Sequence, residues 1–162
     1  MLPEATLEQA RSLLALMEGK GLTLATAESC TGGLIAAALT DVAGSSDVFE
    51  RGFVTYSNDA KHELLGVSTA LLETHGAVSQ EVALAMAQGT LAHSRADLVI
   101  AVTGIAGPGG ATETKPIGLV HVAIARKDGA VTHRVFEFGD IGRTEVRLAT
   151  LDAAMTLLSE FV

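Results

Sequence analysis

Three short stretches carry the residues that could do chemistry. In Ala27-Glu28-Ser29-Cys30-Thr31-Gly32-Gly33 a hydroxyl and a thiol precede paired glycines. If a strand enters and a helix leaves, such a turn lifts Ser29 to a sheet rim. It also aims backbone N–H groups at any negative charge that forms there. The logic is that of a nucleophile elbow without its G-x-S-x-G spacing. The same residues would also make a Ser/Thr-capped helix start. The second stretch is Gly44-Ser45-Ser46 followed by Tyr56-Ser57-Asn58-Asp59-Ala60-Lys61. Asn58-Asp59 reads as a turn, with Tyr56 and Lys61 projecting from either side of it. A lysine can take a serine proton if burial lowers its pKa. In the third, Thr103-Gly104-Ile105-Ala106-Gly107-Pro108-Gly109-Gly110, glycines allow backbone to approach a ligand closely.

Other chemistries find less support. A helix N-terminus could hold Cys30 as a thiolate, although a lone cysteine is more commonly a small buried hydrophobe. The five histidines sit in no triad-like context. No Cys/His cluster, H-E-x-x-H or acidic calcium loop occurs, so no metal is expected.

These stretches need elements to place them. Thr6 to Lys20 reads as a helix with a Thr6/Gln9 capping-box pair and Ala10, Leu13, Leu14 and Met17 on one face. Leu22 to Ala27 reads as a strand, Glu28 to Gly33 as a turn, and Leu34 to Thr40 as an alanine-rich helix. Phe53 to Tyr56 reads as a short strand, and Asp59 to Leu65 as a helix ended by Gly66. Ser68 and Ser79 cap two further helices, the second burying Val82, Ala83 and Met86. Asp97 to Thr103 is apolar and β-branched, as in a strand buried on both faces. Leu119 to Arg126 and Val131 to Phe138 flank Asp128-Gly129, a hairpin signal. Thr144 to Phe161 closes the chain as a helix with Val146, Ala149, Ala153, Leu157 and Phe161 on one stripe. The alternation predicts an α/β fold: a three-layer α/β/α sandwich around a mixed sheet, with one hairpin near the C-terminus. Ligands of such sheets bind off the carboxyl ends of the strands, so the two glycine-rich turns should meet at one rim.

Composition narrows the class. The chain's 162 residues fit one domain, 1–162, and 48% of them are hydrophobic, which argues against disorder. Only 4% are aromatic, so the core must be built from Ala, Val, Leu and Ile. A net charge of -8 argues against binding a nucleic-acid backbone, but one or two arginines can still hold a single phosphate. The single cysteine fits a reducing compartment. No signal peptide and no membrane-length apolar run is present. The expected location is the cytoplasm, with no membrane partner; the oligomeric state, a homo-oligomer included, is left open.

Taken in order, several stretches resemble the CinA C-terminal domain family, whose stand-alone members are nicotinamide-nucleotide amidases. They are Ala27 to Gly33, Gly44-Ser45-Ser46, Gly52 to Lys61, Leu65-Gly66-Val67, Gly76-Ala77-Val78-Ser79, Met86-Ala87, Thr103 to Gly110 and Lys115-Pro116-Ile117-Gly118. The resemblance covers nearly the whole chain. It implies the α/β/α fold and hydrolysis of nicotinamide mononucleotide (NMN) to nicotinic acid mononucleotide and ammonia. It also implies a Ser/Lys mechanism with no metal or other cofactor. On that basis Ser29 is the expected nucleophile, Lys61 its base, and Tyr56 a relay or orienting group. Glu28, Cys30, Thr31, Gly32, Gly33, Ser46, Thr103, Gly104, Ala106 and Gly107 are expected around the substrate. Arg147, with Arg143, is the candidate for the phosphate. Two departures stand out. Ala111 replaces an expected glycine, and Gly139-Asp140 is followed by Ile141-Gly142, which displaces Arg143 from the family position. Arg143 and Arg147 therefore both stay open for the ligand-facing role, as does Ser46 for that of nucleophile. None of these stretches belongs to the larger N-terminal domain of two-domain relatives, so the amidase unit alone is expected. The rival reading is a nucleotide-binding regulatory module that uses the same glycine turns without needing Ser29 or Lys61.

Overall fold

Five strands, β1 (Leu24–Glu28), β2 (Phe49–Val54), β3 (Leu98–Gly104), β4 (Leu119–Arg126) and β5 (Val131–Glu137), form one sheet in the order β2-β1-β3-β4-β5. The structure, a computed structural model, describes residues 1–162. β1 runs parallel to β2 and β3, while β3–β4 and β4–β5 are antiparallel. The sheet is mixed because β3 passes to β4 through residues 105–118 with no crossover helix, and the Asp128-Gly129 hairpin then turns β4 into β5.

Helices α1 (Glu4–Gly19), α2 (Leu34–Thr40) and α6 (Arg143–Phe161) cover one face. Helices α3 (Asn58–Leu65), α4 (Thr69–His75) and α5 (Gln80–Ala92) cover the other. The result is the three-layer α/β/α sandwich. Strand side chains alternate between faces, and the two faces differ in bulk. Leu24, Leu98, Ile100, Val102, Val122 and Ile124 meet α1, α2 and α6. Ala25, Ala27, Ala101, Ala123 and Ala125, with Val99, meet α5. Burying a large aliphatic side chain contributes about 1.5–3 kcal/mol, so the first face supplies more of the cohesion. The alanine face lets α5 lie close to the sheet, with α3, which carries Lys61, packed beside α5. No helix is long and apolar enough to cross a membrane.

Three sequence expectations need correction. α1 starts at Glu4 behind Pro3, with no side-chain cap. Thr6 and Gln9 instead donate to Asp152 Oδ1 at 2.9 Å and Thr156 Oγ1 at 2.7 Å, pinning α1 to α6. The strand expected at Phe53 to Tyr56 is β2, which begins at Phe49 and ends before Tyr56. As an edge strand it tolerates the charged Glu50-Arg51 pair that hides its period. On α6 the buried residues are Val146, Thr150, Leu151, Ala154, Met155, Leu157 and Leu158. The helix touches both the sheet and α1, so its buried arc is wider than one stripe.

Candidate active site

β1 ends at Glu28 and α2 begins at Leu34, so Ser29 to Gly33 is the strand-to-helix turn. Gly32 and Gly33 take φ of 60° and 97°, a left-handed reversal that side chains resist. Ser29 N–H donates to the Val102 carbonyl at 3.0 Å, which ties the turn to the end of β3. There Gly104 leaves no room for a side chain: a Cβ would lie 3.1 Å from Cys30 Sγ and 2.7 Å from Val120 Cγ2. The two glycine-rich turns thus meet at the carboxyl rim of the parallel strands.

Lys61 reaches this rim from α3. Ser57 caps that helix by accepting from Ala60 N–H, and one turn in, Lys61 faces the sheet. Only 1% of Lys61 is exposed and 8% of Ser29. Lys61 Nζ donates to Ser29 Oγ at 3.1 Å and to the Thr55 carbonyl at 2.9 Å. Burial therefore holds the ammonium below the ordinary lysine value. The same 3.1 Å contact is short enough for a neutral amine here to accept a proton from the serine hydroxyl. Burial has the opposite effect on Cys30, pushing its thiol up to about 12. It stays protonated at neutral pH and makes a poor nucleophile.

A cleft of about 270 Å³ opens over this pair. Ser29, Cys30, Lys61, Thr103, Ala106 and Gly107 are buried residues of its lining, and Gly104 is half-buried. Thr103 Oγ1 is turned into the protein and donates to the Ala77 carbonyl at 2.8 Å. Tyr56, Asn58, Gly109, Gly110 and Arg143 are its exposed residues. Arg143, the first residue of α6, donates from Nη1 to the Gly107 carbonyl at 2.7 Å and from Nη2 to the Tyr56 hydroxyl at 2.6 Å. That strap joins three segments far apart in sequence.

Other expected residues lie elsewhere. The Glu28 carboxylate is 1% exposed and accepts from Thr31 Oγ1, Ile35 N–H and Ala36 N–H at 2.8, 2.8 and 3.0 Å. Glu28 and the fully buried Thr31 thus support the turn from behind, and Gly32 and Gly33 shape it; none of the four lines the cleft. Arg147 is also off the cleft. It follows Arg143 by four residues, about 6 Å along the helix, and its Nη2 donates to the Thr31 carbonyl at 2.8 Å. It borders a separate groove beside Leu34, Ala37 and Leu148. Ser46 sits exposed in a 3-10 turn, Ser45–Asp47, just before β2. Because β2 runs parallel to β1, its start lies at the opposite rim, roughly 20 Å of strand away from the site.

Sequence reasoning missed Asn58, Ala77 and Val78 in the cleft, while Ile105, Gly109 and Gly110, which also line it, belong to the Thr103 to Gly110 stretch already singled out. Asn58, Ala77 and Val78 fall in family-matching stretches, which was the available signal. None of the five histidines lines the cleft. His121 and His133 stack on each other with Nδ1 and Nε2 2.9 Å apart, and burial holds both below the ordinary histidine range.

The class of protein defined here is an open mixed α/β sheet with a buried serine–lysine pair at its carboxyl rim. More particularly, the chain belongs to the CinA C-terminal domain family, whose model matches residues 6–162. A relative from Enterobacter agglomerans named nicotinamide-nucleotide amidohydrolase PncC is 53% identical, over 91% of this chain and 90% of its own length. A CinA-like protein from Syntrophus aciditrophicus is 51% identical, over 98% of this chain and 37% of its own. This chain likewise spans 35% of the length of a competence-damage inducible relative from Caldicellulosiruptor bescii. The crystal structure of competence/damage inducible protein CihA from Agrobacterium tumefaciens superposes with a TM-score of 0.96 at 54% identity, covering 99% of this chain and 97% of that one.

Proposed function

We propose that this chain hydrolyses the carboxamide of NMN, releasing ammonia and nicotinic acid mononucleotide. The observation that carries the reading is the 3.1 Å contact between Ser29 Oγ and a lysine amine that burial keeps toward its neutral form. The relative named for this reaction supports the choice of substrate.

Neutral Lys61 takes the Ser29 proton as Oγ attacks the carboxamide carbon. The Thr55 carbonyl holds the amine so that its lone pair meets Ser29. The N–H group of Cys30, which lines the cleft and has no backbone acceptor, receives the oxyanion. The N–H groups of Ile35 and Ala36 are already taken by Glu28, so the donor comes from the turn and not from α2. Protonated Lys61 returns its proton to the departing nitrogen and ammonia leaves. Lys61 then deprotonates water, which attacks the nicotinoyl ester of Ser29; the acyl C–Oγ bond breaks, Lys61 returns the proton to Oγ, and the acid is freed. Arg143 spends two of a guanidinium's five N–H donors on Gly107 and Tyr56, which leaves the others for the phosphate.

Incubating the purified protein with NMN tests the reading, with ammonia and nicotinic acid mononucleotide followed together. Both should appear in equal amounts, and exhaustive chelation should not slow them. Loss on chelation, restored by one divalent ion, would sink the Ser/Lys mechanism. Tight binding of NMN without turnover would favour a regulatory module.

A further inference from the structure

We propose that Glu28, Thr31 and Arg147 form a positioning network behind the nucleophile, setting the Ser29–Lys61 contact without touching substrate. The proposal rests on the reading of Ser29 as nucleophile.

Each member of the network is fixed by the next. Glu28 directly precedes Ser29 and has no cationic partner; all three of its side-chain bonds come from Thr31 and the start of α2. Its own carbonyl accepts from Thr55 N–H at 2.9 Å, and the Thr55 carbonyl in turn holds Lys61 Nζ. One residue is therefore joined to the serine through the chain and to the lysine through Thr55. Thr31 is held twice, its hydroxyl by Glu28 and its carbonyl by Arg147. Ser29 is thus bracketed between two anchored residues, 28 and 31. A hydrogen bond already at 3.1 Å has little slack. A shift of about 1 Å in the turn would take it out of range, and misplacement of that size can cost about 100-fold in rate.

The network differs in its signature from two simpler roles. A phosphate contact at Arg147 would appear in KM, and only for substrates that carry phosphate. A purely structural cap at Glu28 would lower the melting temperature and leave kcat per folded molecule unchanged. A positioning network lowers kcat alike with and without the phosphate and leaves KM in place.

The test compares Glu28→Gln, Arg147→Ala and Arg147→Lys with wild type, on NMN and on its phosphate-free riboside. A serine-reactive fluorophosphonate, read by intact mass and peptide mapping, reports the reactivity of Ser29 without substrate. Glu28→Gln and Arg147→Ala should each lower kcat by about 100-fold on both substrates. Labelling of Ser29 should slow in parallel, and Arg147→Lys, which still offers a donor to the Thr31 carbonyl, should recover much of the loss. If Glu28→Gln fails to fold, Arg147→Ala carries the test, because that side chain is only partly buried. Variants labelled and turning over at the wild-type rate overturn the network, as does a KM rise confined to NMN. Wild-type protein that is never labelled at Ser29 overturns the reading of Ser29 itself, and the network with it.

Discussion

Ser29 and Lys61 on one side of the cleft, and Tyr56 and Arg143 on the other, contribute hydrogen-bonding groups to the same space under opposite conditions. The first two are 8% and 1% exposed, whereas Tyr56 is 58% exposed and Arg143 lies at the surface. The buried pair is fixed by backbone: the Val102 carbonyl holds the Ser29 amide and the Thr55 carbonyl holds the Lys61 amine. The exposed pair is fixed by two long side chains leaning on each other. Desolvation strengthens charge effects and moves pKa values, so proton transfer belongs on the dry side. A guanidinium in water keeps its charge and can rearrange to meet a phosphate. Substitutions on the dry side should accordingly appear in kcat, and those on the wet side in KM.

The largest effect is expected at the pair itself. Ser29→Ala and Lys61→Ala should each remove nearly all NMN turnover while calorimetry still shows NMN binding. The double variant should be little worse than either single one, because two groups acting as a unit are not additive. The pH profile carries a sign. Lys61 must be neutral to act, and its pKa lies below the ordinary 10.5, so kcat should rise with pH through that lowered pKa and then level off. Stability carries the same sign. The unfolded lysine binds its proton more tightly than the folded one, so folding is penalised at low pH and the penalty fades as pH approaches 10.5. Lys61→Met should therefore be inactive yet melt higher than wild type at pH 7, an advantage lost above pH 10.5. A Lys61→Met protein that melts lower at pH 7 would remove the desolvation account of the pair.

On the wet side, Arg143→Ala should raise KM for NMN by about 10–100-fold, the worth of one charge-assisted hydrogen bond. It should change the riboside far less and leave kcat closer to wild type. Arg143→Lys keeps the charge but loses the fork that spans Gly107 and Tyr56, so it should restore only part of the affinity. An equal loss on both substrates would place Arg143 with the buried pair and dissolve the contrast between the two sides.

The fold and the meeting of the two turns were legible because both follow from local pattern. Leu98 to Val102 had to be a central strand, and each glycine turn follows a strand directly. Assigning the arginines was harder. Arg143 and Arg147 share one helix and differ by about one turn, so only the packing of α6 decides which reaches the cleft. Glu28 also read as a ligand contact, because a carboxylate beside a nucleophile in sequence says nothing about which face of β1 it occupies. Strand alternation sends Glu28 to the α2 side while the turn brings Ser29 to Lys61. The depressed lysine could be stated only as a condition, since burial comes from α3 packing beside α5, which lies close over an alanine face.

The smallest effect is expected at Ser46, and it checks the contrast from outside. In sequence Ser46 is nearer to Lys61 than Ser29 is, and both serines fall in stretches that resemble the family. In space, the direction of β2 separates them: Lys61 follows the end of that strand and Ser46 precedes its start. Ser46 is exposed and lies outside the cleft. Surface substitutions of this kind usually stay within about 0.5 kcal/mol, so Ser46→Ala should keep kcat, KM and melting temperature near wild type. The assay is the same ammonia release used for Ser29→Ala, run side by side. If Ser46→Ala lost turnover while Ser29→Ala kept it, the nucleophile would sit at the amino rim. The Glu28 to Gly33 turn would then be an anion-holding loop, and the difference between the dry and wet sides of the cleft would no longer concern catalysis.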